Sequence, residues 1–254
     1  MSKKKLLSLA VVAIMIAILS FSTLAWFTDS DSITNDFGVA GGGNSNPDEI
    51  FSIDVMEQVD SDGDGDYDMN DAIIGDNKAP NPVHEFTYED ILPGDVLFKR
   101  PFARNTGAYE QWVRMKVTFD NANYWIALMQ KYGYTNMLDM LYMEDQETHL
   151  TDSTEWIYAP EETTVENDQI TYVFYYNTKL QPIADSGRPG AAESNAIFFS
   201  WVKIPRQLTQ ADMVPFTGGN FHLVVTGEAI QVKNIPAQTA KEAFAIAENG
   251  NTNN

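Results

Sequence analysis

The stretch Trp112-Val-Arg-Met-Lys-Val-Thr-Phe119 alternates apolar and polar side chains without a break, and this period of two constrains the chain more than any other feature. Successive residues of an extended strand point to opposite faces, so such a stretch makes one face core and the other solvent. Phe51-Ser-Ile-Asp-Val55 shows the same alternation. Ile170–Tyr176 and Ile197–Ile204 read as two more strands, rich in aromatic and β-branched residues, and Phe221–Val232 as the last. Val96-Leu-Phe98 and Phe102 lead into an Asn105-Thr-Gly107 turn, so this run is expected to pair with Trp112–Phe119. Five or more strands separated by Pro, Gly and Asn, without βαβ alternation, predict an all-β dominated fold. The expected architecture is an antiparallel β-sandwich, jelly-roll-like, with helical insertions and a short C-terminal helix. The helical stretches are 123–143, with a break at Gly133, and 237–247. Residues 248–254 read as a disordered tail.

A length of 254 residues fits one large domain or two small ones. The division expected here is a leader over 1–25, a Gly-rich-ended segment over 26–49 and the sandwich over 50–247. With 14 Phe, 11 Tyr and 5 Trp the chain has ample apolar surface for a core. The net charge of −20 argues against a nucleic-acid partner, which needs a basic face to displace counterions, and against docking on anionic lipid. The absence of cysteine excludes disulfides, thiolate metal sites and cysteine nucleophiles. His84, His149 and His222 are the only histidines and are far apart in sequence, so no H-E-x-x-H motif exists.

Residues 1–25 have the layout of a secretory signal peptide. Lys3, Lys4 and Lys5 precede the apolar run Leu6–Phe21, and Thr23-Leu24-Ala25 offers small residues at the cleavage positions. Cleavage between Ala25 and Trp26 removes three lysines and no acid, moving the net charge from −20 to −23. The rival reading is a retained anchor, because residues 6–28 carry no charge and are long enough to span a bilayer. Secretion to a cell surface or extracellular matrix is the expected location.

Residues 60–71 read D-S-D-G-D-G-D-Y-D-M-N-D. Asp60, Asp62 and Asp64 fall at positions 1, 3 and 5 of an EF-hand-type calcium loop, and Gly65 falls at position 6, where the chain turns sharply. Asp66 supplies a backbone carbonyl at position 7, Asp68 can act through water at position 9, and Asp71 stands at position 12. A hard dication takes six to eight oxygens, and alternate residues on a tight loop aim several carboxylates inward. The bland alternative is an acidic solvated turn. Asp instead of Glu at position 12 shortens the last arm, and no second loop follows, so a structural Ca2+ clip is expected, not a paired sensor.

The junction Ala25-Trp-Phe-Thr-Asp-Ser-Asp-Ser-Ile-Thr-Asn-Asp-Phe-Gly-Val-Ala40 resembles the N-terminus of the TasA/camelysin family. Ile91-Leu-Pro-Gly-Asp95 followed by Asn105-Thr-Gly107 looks like that family's L-x-P-G-D … N-x-G hairpin, and Phe221–Val232 like its closing strand. These segments cover about a quarter of the chain; the acidic stretch at 60–71 departs from the simplest members. The resemblance implies export through a dedicated signal peptidase and assembly into extracellular matrix fibres or a spore-coat layer. Camelysin-type members have been classed as metallopeptidases, but no zinc-ligand spacing is present here, so no catalytic residue is assigned.

The residues suggest how such a subunit would assemble. Trp26 to Ala40 begins at a freed terminus and carries Trp26, Phe27, Ile33, Phe37 and Val39, followed by the Gly-rich stretch from residue 41. Ile33, Phe37 and Val39 share one face of an extended segment. Such a donor strand can complete the sheet of the next copy, giving a head-to-tail homopolymer, with another matrix protein as a further possible partner. The alternative is a first strand docked in its own sheet. The other function class is a monomeric wall-glycan binding module using aromatics of Phe174-Tyr-Tyr176 and Phe198-Phe199. Glu161, Glu162, Glu166 and Asp168 imitate a glycosidase carboxylate pair only weakly. His222 reads as a satisfied sheet residue, and Arg100 and Arg104 as strand-edge charges or contacts to an acidic partner.

Overall fold

The computed structural model describes residues 28–34, 53–61, 73–75, 88, 91–107, 109–182, 195–214, 222–233 and 235–251. Its strands are β1 (Thr28–Thr34), β2 (Ile53–Val59), β3 (Ile73–Ile74), β4 (Val96–Asn105), β5 (Gln111–Phe119) and β6 (Leu141–Tyr142). They continue with β7 (Trp156–Tyr158), β8 (Thr164–Glu166), β9 (Gln169–Tyr176), β10 (Asn195–Ile197), β11 (Trp201–Lys203) and β12 (Leu223–Gln231). The helices are α1 (Ala122–Tyr132), α2 (Gln210–Met213) and α3 (Ala240–Asn251).

Two antiparallel sheets face each other, the β-sandwich that alternation predicts. The first has the order β1-β12-β5-β9-β7, with β8 also on β9; the second has the order β3-β2-β4-β11-β6, with β10 also on β4. Register follows the hydrophobic pattern. Val225 pairs with Val117, which pairs with Tyr172, while Gly227 pairs with Met115, which pairs with Phe174. All six are buried between the sheets. Their odd-even neighbours Glu228, Arg114 and Lys116 point outward. Trp156 joins the layers directly: on β7 of the first sheet, it donates its indole N–H to the carbonyl of Ile197 on β10 of the second, at 2.6 Å.

Several expectations need correction. The runs around Val96–Phe102 and Trp112–Phe119 do not form a hairpin. β4 pairs with β2, β10 and β11, whereas β5 pairs with β12 and β9, so the Asn105-Thr-Gly107 turn carries the chain from one sheet to the other. Asn105 makes that crossing. Its buried side-chain amide donates to the carbonyls of Tyr109 and Leu180 and its oxygen accepts the Gly107 N–H, replacing ladder bonds that the turning chain lacks. The expected strand Ile197–Ile204 breaks at Phe198–Ser200 into β10 and β11. The break lets both Phe198 and Phe199 turn into the core instead of pointing to opposite faces.

The helical stretch 123–143 ends at Tyr132. Gly133, at φ 80°, adopts the left-handed conformation that terminates α1, and the chain continues as a tight 3-10 turn into β6. The C-terminal helix runs through Asn251, into what the sequence reads as a disordered tail. It covers the outer face of the first sheet, burying Phe244, Ala240 and Ala243 against Trp112, Val173, Tyr175 and Ile230. Tyr175 is therefore hidden beneath a helix, and the adjacent Phe174 beneath the other sheet. Arg114 binds α3 to the sheet. It meets Glu228 at 2.5 Å and Glu248 at 2.7 Å, and its guanidinium lies 4.2 Å from the Phe244 ring centroid. Burial works against the Arg114 charge, but the Tyr175 hydroxyl and the two glutamates outweigh it and hold the charge firmly.

Candidate functional site

Two features bear on the functional expectations, and both lie at the same end of the sandwich topology. The first is the β1 edge. β1 is the terminal strand of its sheet among the described strands. It pairs antiparallel with β12 from Thr28↔Ile230 to Thr34↔Val224 and lies beside β2 of the facing sheet. In this structure the N-terminal segment is thus a first strand docked in its own sheet. Ile33 stands opposite Val225, a core-side register position, and Asp29 and Asp31 stand opposite Ala229 and Gly227. Ala25, Trp26, Phe27, Phe37 and Val39 lie outside the described residues, as does the 1–25 leader.

The second is the β2–β3 hairpin. Glu57 pairs with Ile74 and Gln58 with Ile73, so the register draws together the chain just before residue 60 and just after residue 71. Asp60 directly follows β2, and the acidic stretch is the part of the chain that connects these two paired strands. Asp62, Asp64, Asp66, Asp68 and Asp71 lie outside the described residues. Among the described residues, no three His, Asp or Glu side chains converge on a metal-sized site.

Beneath this hairpin lies a feature the sequence reading missed. Glu57 of β2 and Lys99 of β4 form an ion pair at 2.5 Å, with side chains 0% and 2% exposed. Burial pushes the Lys99 amine down from its ordinary value, opposed by the charge and hydrogen bond of Glu57. Tyr88 donates its hydroxyl to the carbonyl of Phe98, next to Lys99. Burial holds its phenol well above the usual value, and the negative charges of Glu57 and Asp60 add to this. The pattern was legible. Continuing the Ile53, Val55 alternation two steps puts Glu57, then Val59, on the inward face, so a charge sits where a core residue belongs.

The other candidates are engaged by neighbouring residues. His222 is held by Asp120 twice, through its ring and through its backbone N–H at 2.7 Å. Asp168 accepts the Asn123 N–H at 2.9 Å at the start of α1, Glu161 pairs with Lys241 of α3, and Glu162 accepts the Tyr175 hydroxyl. Arg100 reaches Gln58 and Glu144, and Arg104 reaches Asn195. Phe174, Phe198 and Phe199 are fully buried, so they offer no sugar platform.

The Leu92-Pro-Gly-Asp95 motif is a tight turn: the Asp95 N–H bonds to the Leu92 carbonyl, and Gly94 takes φ 95°, the positive value that favours glycine. Gly94 and Asp95 then bond to Ile204, fixing the entry of β4 beside the exit of β11. No helix among the described residues is long and apolar enough to cross a membrane. No family model, no curated protein and no solved structure matches the chain.

Proposed function

We propose that the protein is a secreted structural subunit of an extracellular or biofilm-matrix fibre, assembled by strand addition through its N-terminal segment and stiffened by one calcium ion at the 60–71 hairpin. The observation that carries this reading is the position of β1. It is a seven-residue strand at the edge of its sheet, bonded on one side to β12 and joined to β2 through residues 35–52, which include the Gly-rich stretch. The same β12 edge can take Thr28–Thr34 from its own chain or from a neighbouring copy, with identical backbone hydrogen bonds and register. A head-to-tail exchange of this kind does not close and so propagates a filament. Before signal peptidase acts, the segment stays tethered to the leader, which restrains assembly until export. The leader layout, the absence of cysteine and the resemblance to TasA/camelysin junctions support export.

Electron microscopy of residues 26–254 beside a chain starting at Gly41, each with calcium and with chelator, tests this. Fibres from the longer chain alone support the joining-strand role. Monodisperse particles from both, under every condition, overturn self-assembly and favour the monomeric wall-glycan module.

A further inference from the structure

We propose that Lys99 and Glu57 condense to an intramolecular amide, a covalent cross-link between β2 and β4 in the interior of the sandwich. Three observations meet at this pair. The reacting groups are already in place, with Lys99 Nζ 2.5 Å from Glu57 Oε2. The carboxyl carbon is bonded to that oxygen, so amine and acceptor are already held side by side, the proximity that makes such a step effectively unimolecular. Both side chains are excluded from water, at 2% and 0% exposure. Both are fixed by paired backbone, since Lys99 stands opposite Val59 and Glu57 opposite Pro101 in the same β2–β4 ladder.

Burial changes which side of the condensation is favoured. In water, an amine and a carboxylic acid ionise, and solvation of the two ions holds them apart from the amide. Inside a protein, that solvation is lost, and a buried ion pair recovers it only in part. Transfer of one proton from ammonium to carboxylate gives a neutral amine and a neutral acid, the forms that react. Burial already draws the Lys99 amine toward its neutral form.

The step balances without a co-reactant. The Nζ lone pair attacks Cδ of Glu57 and forms the C–N bond. A proton passes from nitrogen to the carboxyl hydroxyl, the C–O bond breaks, and one water leaves. Nothing is oxidised or reduced. The product is a neutral amide in place of two buried charges. Among the described residues, Tyr88 is a titratable group that feels the charges of Glu57 and of Asp60. The Tyr88 phenol stays protonated there, so it adds no charge beside the new amide.

The cross-link would join residues 57 and 99 around the acidic hairpin and the Leu92–Asp95 turn. It would pin the strand that carries the hairpin to the central strand of its sheet, whichever role the hairpin and β1 play.

The test is the mass of the intact, folded, secreted chain under denaturing conditions. The expected mass is that of the cleaved sequence less one water. After trypsin, the peptide ending at Lys78, which carries Glu57, should remain joined to the peptide beginning at Ala79, with Lys99 itself uncut. Lys99→Met should show the full mass and two separate peptides. Glu57→Gln offers an amide as acceptor and should lose one ammonia if the same attack occurs. A folded wild-type chain with the full calculated mass and two separate peptides overturns the proposal, and it does so independently of fibre formation.

Discussion

Gly227 of β12 faces Val55 of β2 across the sandwich so closely that a Cβ on Gly227 would stand 2.5 Å from Val55 Cγ2 and 3.0 Å from Met115 Sδ. The two sheets touch there with hydrogen in place of a side chain, at the register position paired with Asp31 of β1. Gly227→Ala should destabilise the fold by about 1–3 kcal/mol, the usual cost of overpacking. Val55→Ala removes the obstructing methyl, so the double variant should lose less than the two single losses combined, a coupling expected between residues in contact. Urea titrations of the four proteins check this. Additive losses would mean that the close approach is relieved elsewhere.

Trp156 is the polar fastener between the layers. Trp156→Phe keeps most of the ring packing against Phe198 and Tyr176 but removes the donor to the Ile197 carbonyl. The expected loss is about 1–3 kcal/mol, the cost of leaving a buried acceptor without its donor. Hydrogen exchange should rise first in β7 and β10, the two elements the bond connects. An unchanged stability would show that a water replaces the indole.

Asp212 gives an acid-sensitive contribution. The backbone N–H of Thr209, the Tyr132 and Thr209 hydroxyls and the Lys131 ammonium all donate to its carboxylate, and they hold it well below the usual carboxylate range. A depressed acid favours the folded state above the unfolded value of about 3.9 and loses that advantage as pH falls toward the folded value. The melting temperature should therefore drop below about pH 4, and Asp212→Asn, which cannot titrate, should drop less over the same interval. Parallel curves for the two proteins would refute the assignment.

What was legible in the sequence was what depends on local period. Trp112–Phe119 lies where alternation puts a strand and Ile170–Tyr176 where aromatic and β-branched residues put one, each one residue longer at its start; Phe221–Val232, read as the last strand, is described from His222 onward. Partner choice was not legible, because it depends on side chains far apart in sequence. β4 and β5 looked like a hairpin, yet Asn105, by bonding to Tyr109 and Leu180, turns the chain across to the other sheet. Phe198 and Phe199 looked like alternate faces of one strand, yet the Phe198–Ser200 break buries both. The Glu57–Lys99 pair was legible by half: alternation from Ile53 and Val55 puts Glu57 on the inward face, but only the β2–β4 register shows that Lys99 meets it there.

The acidic stretch 60–71 should report calcium through stability. If the 60–71 loop binds the ion with the about 10⁻⁴–10⁻³ M affinity of extracellular modules, calcium at ten to a hundred times that constant should stabilise the fold by about 1.4–2.7 kcal/mol. The transition should move back with chelator, because the acidic side chains of the empty loop repel one another. Magnesium should do less, since it holds its waters and prefers near-ideal octahedral sites. Asp62→Asn with Asp64→Asn should abolish the calcium shift while leaving the chelated midpoint unchanged or slightly raised, as repulsion is relieved. An equal response to calcium in wild type and variant would reduce the loop to an acidic turn and remove the ion from the assembly reading.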